Sequence, residues 1–282
     1  MKISVLTPSF NAAPHLERAI ASVVTQDYAD WEHVVADGGS TDGTIEILQK
    51  HRHLQWLSEP DRGQSDAMNK AFSRSTGDVI VYLNADDHFE AGAFRQVAAC
   101  FAAGDADLVV GKLRVTMPER KHTYVQDPPT QLEEILDPRG RGFPANPTAY
   151  FYRHQVQDSV GPFPVQEHYA MDYWFLLRAY QAFRVRKIDA VLGHFFLSEK
   201  SKSAHPVDAT LAQFNVLADF LEENPQYPAR ECLSRFVATL LREQANTRRE
   251  LELYQQKFRR FAHSPAWRLV RRFFPKPPDR AE

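Results

Sequence analysis

With 282 residues, 43% of them apolar and 25% charged, the chain can bury a full-sized core, and its composition excludes wholesale disorder. A net charge of −2 shows no basic surplus for nucleic acid, and two distant cysteines, Cys100 and Cys232, argue against a disulfide framework or a thiolate metal site. No window approaches the roughly 18 consecutive apolar residues of a membrane span, and the apolar run after Met1 is too short for a signal peptide, so a cytoplasmic protein that meets a membrane only from its surface is expected.

From residue 2 to about 111 short apolar runs alternate with segments of helical spacing. Ile3 to Leu6, His33 to Ala36, Leu54 to Leu57, Val79 to Leu83 and Leu108 to Val110 read as strands; Leu16, Ala19, Ile20 and Val23 carry one face of a helix between the first two. Repeated strand-helix-strand units imply an α/β fold with a mostly parallel, Rossmann-like sheet covered on both faces, its strand-end loops gathered along one edge. From about 112 to 205 regularity falls: Asp127-Pro128-Pro129 and Gly140-Arg141-Gly142-Phe143-Pro144 mark loops, and a helix is expected from about Asp172 to Ala182. Beyond Pro206 the pattern turns helical, over about Val207 to Glu223 and from Ala229 to about Ala262. The division expected is therefore 1–205 as one domain, made of a 1–111 half and a 112–205 half, followed by a helical extension over 206–282.

The strand-end loops hold the unusual residues. Thr7-Pro8-Ser9-Phe10-Asn11 follows the first strand and Asp37-Gly38-Gly39-Ser40-Thr41-Asp42-Gly43-Thr44 the second. The latter supplies a carboxylate, glycines that let the backbone approach a ligand, and a Ser/Thr/Asp run able to cap a helix. It is no Walker loop, since no lysine follows the glycines. Ser58 to Lys70 opens a helix on which Arg62, Asp66, Asn69 and Lys70 share one side, so a polar stripe is expected to face the cleft, with Met68 and Phe72 toward the core. Leu83-Asn84-Ala85-Asp86-Asp87 ends an apolar strand in adjacent carboxylates, hard oxygen ligands suited to a divalent cation holding a phosphate.

These four segments, in this order, resemble the family-two glycosyltransferases of the GT-A fold, strongly over residues 2 to about 111 and weakly to about 205. The resemblance implies a nucleotide-binding half joined to an acceptor-binding half, and transfer of a sugar from a nucleotide donor with inversion. It implies donor contacts at Thr7, Pro8, Asn11, Asp37, Gly38, Arg62, Gly63, Asp66, Asn69, Asn84 and Ala85, with Asp37 bonding the base, and a Mn2+ or Mg2+ ion on Asp86 with Asp87 beside it. Asn84 stands where the family's Asp-x-Asp motif begins, so an amide replaces a carboxylate there. Ala170-Met171-Asp172-Tyr173-Trp174 is similar to the family segment in which an aspartate opens an acceptor-side helix; Asp172 is the expected general base, a role that leaves room for helix capping, and Glu167 the reserve. Many members complete the metal site with a histidine after the last strand; here Phe196 and Ser198 stand at the usual basic and histidine positions, which leaves His194 or His205 either as a substitute ligand or as a plain loop or core histidine, with Lys200 and Lys202 available to the leaving diphosphate.

The final segment sets Trp267, Val270, Phe273 and Phe274 against Arg268, Arg271 and Arg272, a basic amphipathic turn suited to an anionic membrane surface or to packing on protein. Similar tails occur in sugar transferases of bacterial surface-polysaccharide pathways. The expected activity is thus a metal-dependent glycosyltransferase acting on a lipid-linked or growing glycan at the inner face of the plasma membrane, with residues 229–262 available for a homodimer contact and no nucleic-acid partner. The rivals are a nucleotidyltransferase, which would normally carry a basic Gly-rich loop after its first strand, and a non-catalytic nucleotide-sugar or partner-binding module.

Overall fold

The computed structural model describes residues 1–136, 144, 146–198, 201, 206–228 and 231–233. The described residues fall in one compact unit within 1–235; the expected loop at 140–143, Lys200, Lys202, His205, the expected helix toward residue 262 and the basic tail lie outside the described residues. Among those described, no helix is long and apolar enough to cross a membrane.

The first half is built as its apolar runs imply. Strands β1 (Ile3–Ser9), β2 (Trp31–Asp37), β3 (Leu54–Ser58) and β4 (Val79–Tyr82) pair in parallel in the order β3-β2-β1-β4. β1 and β4 are buried at every position, as strands covered on both faces must be. Helix α1 (Ala13–Val24) buries Leu16, Ala19, Ile20 and Val23, the face expected from spacing. Ala19 and Val23 join Ile3, Val5, Val79 and Val81 in one core; Leu16 and Ile20 join Val35, Leu48 and Leu54 in another, Leu48 coming from helix α2 (Thr44–Lys50). Helix α3 (Gln64–Phe72) packs on β1 and β2.

The second half carries strands that the sequence pattern did not announce. After β5 (His88–Phe89) and helix α4 (Ala93–Ala102), β6 runs from Leu108 to Met117 and is followed by β7 (His122–Gln126), the short helix α5 (Leu132–Ile135), a 3-10 turn at Pro147–Ala149, β8 (Tyr150–Arg153), helix α6 (His154–Val160), helix α7 (Met171–Ala182) and β9 (Val185–Phe196). β8 enters antiparallel between β4 and β6, β9 runs parallel to β6, and β5 and β7 pair antiparallel with β9 and β6. The sheet is therefore parallel through β3-β2-β1-β4 and mixed beyond β4. Close packing of β9 depends on Gly193, where an added Cβ would lie 2.1 Å from Thr148 Oγ1. Helix α8 (Pro206–Glu223) buries Leu217, Phe220 and Leu221 and pairs Glu223 with Arg178 of α7 at 2.6 Å.

Strand register places the site. Ser9 of β1 is level with Asp37 of β2, and Asp37 with Ser58 of β3, so three strands end flush at one edge, and the turn after β4 opens beside them.

Candidate functional site

A cavity of about 740 Å³ opens at this edge. Pro8, Asn11, Gly38, Gly63, Asn84, Ala85, Asp86 and Asp172, all expected from the sequence, line it together. Thr7, Asp37, Arg62, Asp66, Asn69, Asp87 and His194, also expected, are not among its lining residues.

Each displaced side chain has a stated partner. Thr7 is fully buried and its hydroxyl bonds His33 Nε2 at 2.9 Å. Asp37 turns its carboxylate into its own loop: Oδ2 accepts from the Gly39 and Ser40 amides and from Ser58 Oγ, while Oδ1 accepts from Ser40 Oγ at 2.5 Å. It thus fixes the glycine loop, and Gly38, which sits so close to Asp61 that a Cβ would meet Asp61 Oδ2 at 2.5 Å, presents the loop to the cavity. Asn11 adopts a left-handed backbone (φ 49°) and bonds the same loop through the Thr41 amide and Ser40 Oγ.

The polar stripe expected on α3 does not face the cavity. Arg62, 71% exposed, folds onto Asp66 at 2.9 Å, with Lys70 3.8 Å from the same carboxylate. Asn69 clamps the backbone of Phe163, donating to its carbonyl and accepting from its amide at 2.8 Å each. Met68 is buried as expected. Helix α3 instead turns Gln64 and Ala67, one helical turn apart, toward the cavity, and Gln64 Nε2 bonds Asn84 Oδ1 at 3.0 Å.

The two adjacent aspartates part ways. Asp87 is fully buried, accepting from Asn84 Nδ2 (3.1 Å), Asn146 Nδ2 (2.6 Å) and the Phe196 amide (3.1 Å); it ties the β4 turn to the second half rather than opening to ligand. Burial and the neighbouring Asp86 charge both push its carboxyl up. Asp86 lines the cavity, half-buried; burial raises its carboxyl, opposed by His15 and Arg18. Arg18 donates to the Asp86 carbonyl at 2.6 Å while its guanidinium lies 4.0 Å from the Phe196 ring centroid. His194 stacks on Phe196, meets the His88 ring at 4.7 Å between centroids and bonds Thr116 Oγ1 at 2.8 Å, and burial pushes its pKa down to about 4.

Across the cavity, Asp172 sits in the first turn of α7. Its Oδ1 accepts from Tyr150 Oη at 2.5 Å, and burial lifts its carboxyl to about 6. Glu167 is occupied otherwise: its Oε1 accepts from the Tyr169 and Ala170 amides at 2.8 Å each, holding the entry to α7.

Further lining residues escaped the sequence reading: Ser9, Phe10, His15, Asp61, Asn146 and His168 among them. Phe10 (65% exposed) and Asp61 stand inside the quoted motifs and could have been found there; Asn146 and His168 come from loops of the second half with no sequence signal. Ser9 Oγ is buried and has no hydrogen-bond partner among the described residues.

Whether a divalent cation fits is a question of donors. Among the described residues no three His, Cys, Asp or Glu side chains gather as a metal-binding group. One cavity-facing carboxylate, Asp86, fits a hard cation that takes its remaining oxygens from a substrate diphosphate and water, as Mg2+ commonly does.

Residues 4–161 match the family model described as glycosyl transferase family 2. An uncharacterized glycosyltransferase of Nostoc sp. is 30% identical over 173 residues, 57% of this chain and 54% of its own, so the chain spans about half the length of that relative. Two solved structures share the fold: S. aureus TarS (residues 1–349) in complex with UDP-GlcNAc, with TM-score 0.63 at 20% identity over 84% of this chain and 72% of that one, and the Pyrobaculum calidifontis mannosyltransferase PcManGT in complex with GDP-Man and Mn2+, with TM-score 0.55 at 18% identity over 95% and 82%.

Proposed function

We propose, starting from the fact that this chain belongs to glycosyl transferase family 2, that it moves one sugar from a nucleotide-sugar donor to a hydroxyl of a lipid-linked or growing glycan, with inversion at the anomeric carbon. The observation that carries the reading is the shared cavity of about 740 Å³, with Gly38 and Asp86 from the strand-end loops and Asp172 from α7 in its wall. That volume is of the size small-molecule sites use.

The exposed Phe10 ring, the Gly38 backbone and Asp61 form a wall suited to a nucleobase, an aromatic face beside hydrogen-bonding groups. Asn84, held by Gln64 and Asp87, presents a fixed amide next to the ribose and diphosphate. A Mn2+ or Mg2+ ion held by Asp86 and the diphosphate oxygens would neutralise charge on the leaving nucleoside diphosphate. Arg18 adds positive potential at the same end. Asp172, raised to about 6, is ionised at neutral pH yet basic enough to take the acceptor hydroxyl's proton. That PcManGT was solved with GDP-Man and Mn2+, and TarS with UDP-GlcNAc, supports a nucleotide-sugar donor and a divalent metal. The basic, aromatic segment from Trp267 to Phe274 supports work at the cytoplasmic face of a membrane.

The test is release of nucleoside diphosphate from UDP-, GDP- and dTDP-sugars with Mn2+, with and without glycan acceptors, and the anomeric configuration of the product by NMR. Acceptor-stimulated release with an inverted product is expected. Binding without release would instead identify a nucleotide-sugar-binding module, and pyrophosphate release from a nucleoside triphosphate and a sugar 1-phosphate, assayed alongside, a nucleotidyltransferase.

A further inference from the structure

One hydrogen bond at the site joins Asp172 to a residue that does not line the cavity. Tyr150 opens β8, fully buried, and its hydroxyl donates to Asp172 Oδ1 at 2.5 Å. Its ring is stacked against Tyr152 and Phe175 at centroid distances of 6.3 and 6.5 Å, and its strand is paired with β6 through Val110. The phenol is therefore shielded from bulk solvent and has little rotational freedom. Asp172 Oδ2 makes no hydrogen bond among the described residues, and Asp172 is open to the cavity.

We propose that Tyr150 is a positioning residue for the general base: its phenol pins one carboxylate oxygen of Asp172 and leaves the other, Oδ2, to receive the proton of the acceptor hydroxyl. The proposal rests on reading Asp172 as the base. In the step so arranged, the acceptor oxygen forms its bond to the anomeric carbon as the bond from that carbon to the diphosphate oxygen breaks. The electron pair leaves with the nucleoside diphosphate and the acceptor proton passes to Oδ2. Tyr150 keeps its own proton throughout, because burial and the Asp172 charge hold its phenol far above the ordinary range.

The hydrogen bond also sets where the base titrates. Donation to the charged form favours ionisation, against the burial that raises the carboxyl. The groups around Asp172 leave this pair to dominate. Tyr152 from β8 and Tyr82 from β4 are buried, neutral phenols. On its own segment Glu167 is bound to two amides and His168 lies beside Gly63, while Asp86, Asp61 and His15 line the same cavity. The helices packed on α7 carry their charges elsewhere: Glu134 of α5 returns to the Gln131 amide, Asp158 of α6 lies 3.8 Å from His154, Glu223 of α8 pairs with Arg178, and Glu133, Asp219 and Glu222 are exposed.

The experiment follows the Asp172 carboxyl by 13C NMR in aspartate-labelled protein, its signal assigned by its loss in Asp172→Asn, beside kinetics of nucleoside-diphosphate release from UDP-GlcNAc and GDP-mannose with Mn2+. Tyr150→Phe is expected to raise the titration midpoint by about one pH unit, the scale of one hydrogen bond to a charged group. It is also expected to lower kcat about tenfold at neutral pH with donor affinity unchanged. Placing 3-fluorotyrosine at position 150, a stronger donor of nearly the same shape, moves the midpoint the other way and serves should the phenylalanine variant not fold. A midpoint unmoved by either change overturns the proposal while leaving Asp172 as base. Full transfer by Asp172→Asn, with the midpoint still responsive to Tyr150, overturns the base reading instead.

Discussion

Replacing Asp172 by asparagine separates what this carboxylate does for chemistry from what it costs the fold. Its carboxyl is raised from 3.8 to about 6, chiefly by burial. For a group raised on folding, the favourable contribution is fully present below the unfolded value and is lost as pH rises through the folded one, so at pH 8 the ionised side chain opposes folding. At 1.36 kcal/mol per pH unit the cost approaches about 3 kcal/mol at pH 8 and only about 1 kcal/mol at pH 4.5. Asparagine keeps an oxygen to accept from Tyr150 and removes the titration. Urea unfolding at the two pH values should therefore show Asp172→Asn gaining about 2 kcal/mol more stability relative to the parent at pH 8 than at pH 4.5, while transfer is lost and donor binding is kept. A stability difference independent of pH would show that Asp172 carries no raised carboxyl in the folded protein, and a variant that transfers normally would show that it is not the base.

Two further substitutions test the packing that carries the site. Asn69→Ala removes both hydrogen bonds to Phe163 and is expected to destabilise the protein by about 2–3 kcal/mol in denaturant unfolding with donor KM within about twofold, because Asn69 faces away from the cavity. Gly193→Ala drives a methyl into Thr148 and should cost about 1–3 kcal/mol or more, read as a fall in Tm.

The parallel half was legible because β1 and β4, buried on both faces, must read as unbroken apolar runs, and because α1 repeats its buried face at three-and-four spacing. β9 was not, since Val185 to Phe196 is half-exposed along much of its length and interleaves Arg186, Lys187 and Asp189 with its apolar positions. β8 is four residues whose partners lie far upstream, Val109 for Phe151 and Ile80 for Tyr152, so it waits on sheet closure rather than on local pattern. At the site, the motifs located the cavity but not which side chain enters it. Asp86 and Asp87 differ by one position, and only the donors supplied by Asn146 and the Phe196 amide decide that Asp87 turns inward. The same holds for Asn69: helical spacing orders residues around α3, whereas its bonds to the Phe163 backbone, which no local pattern announces, turn its side chain toward the second half.

In the proposed function Asp86 and Asp172 serve one cavity from two sides, Asp86 holding the donor's diphosphate end and Asp172 taking the acceptor's proton. Its most direct test is calorimetric titration of UDP and GDP, with and without Mn2+, into the parent protein, Asp86→Ala and Asp172→Asn. Mn2+-dependent binding of a nucleoside diphosphate is expected for the parent and Asp172→Asn, and is expected to be lost in Asp86→Ala. Equal Mn2+-dependent binding by all three proteins would contradict it.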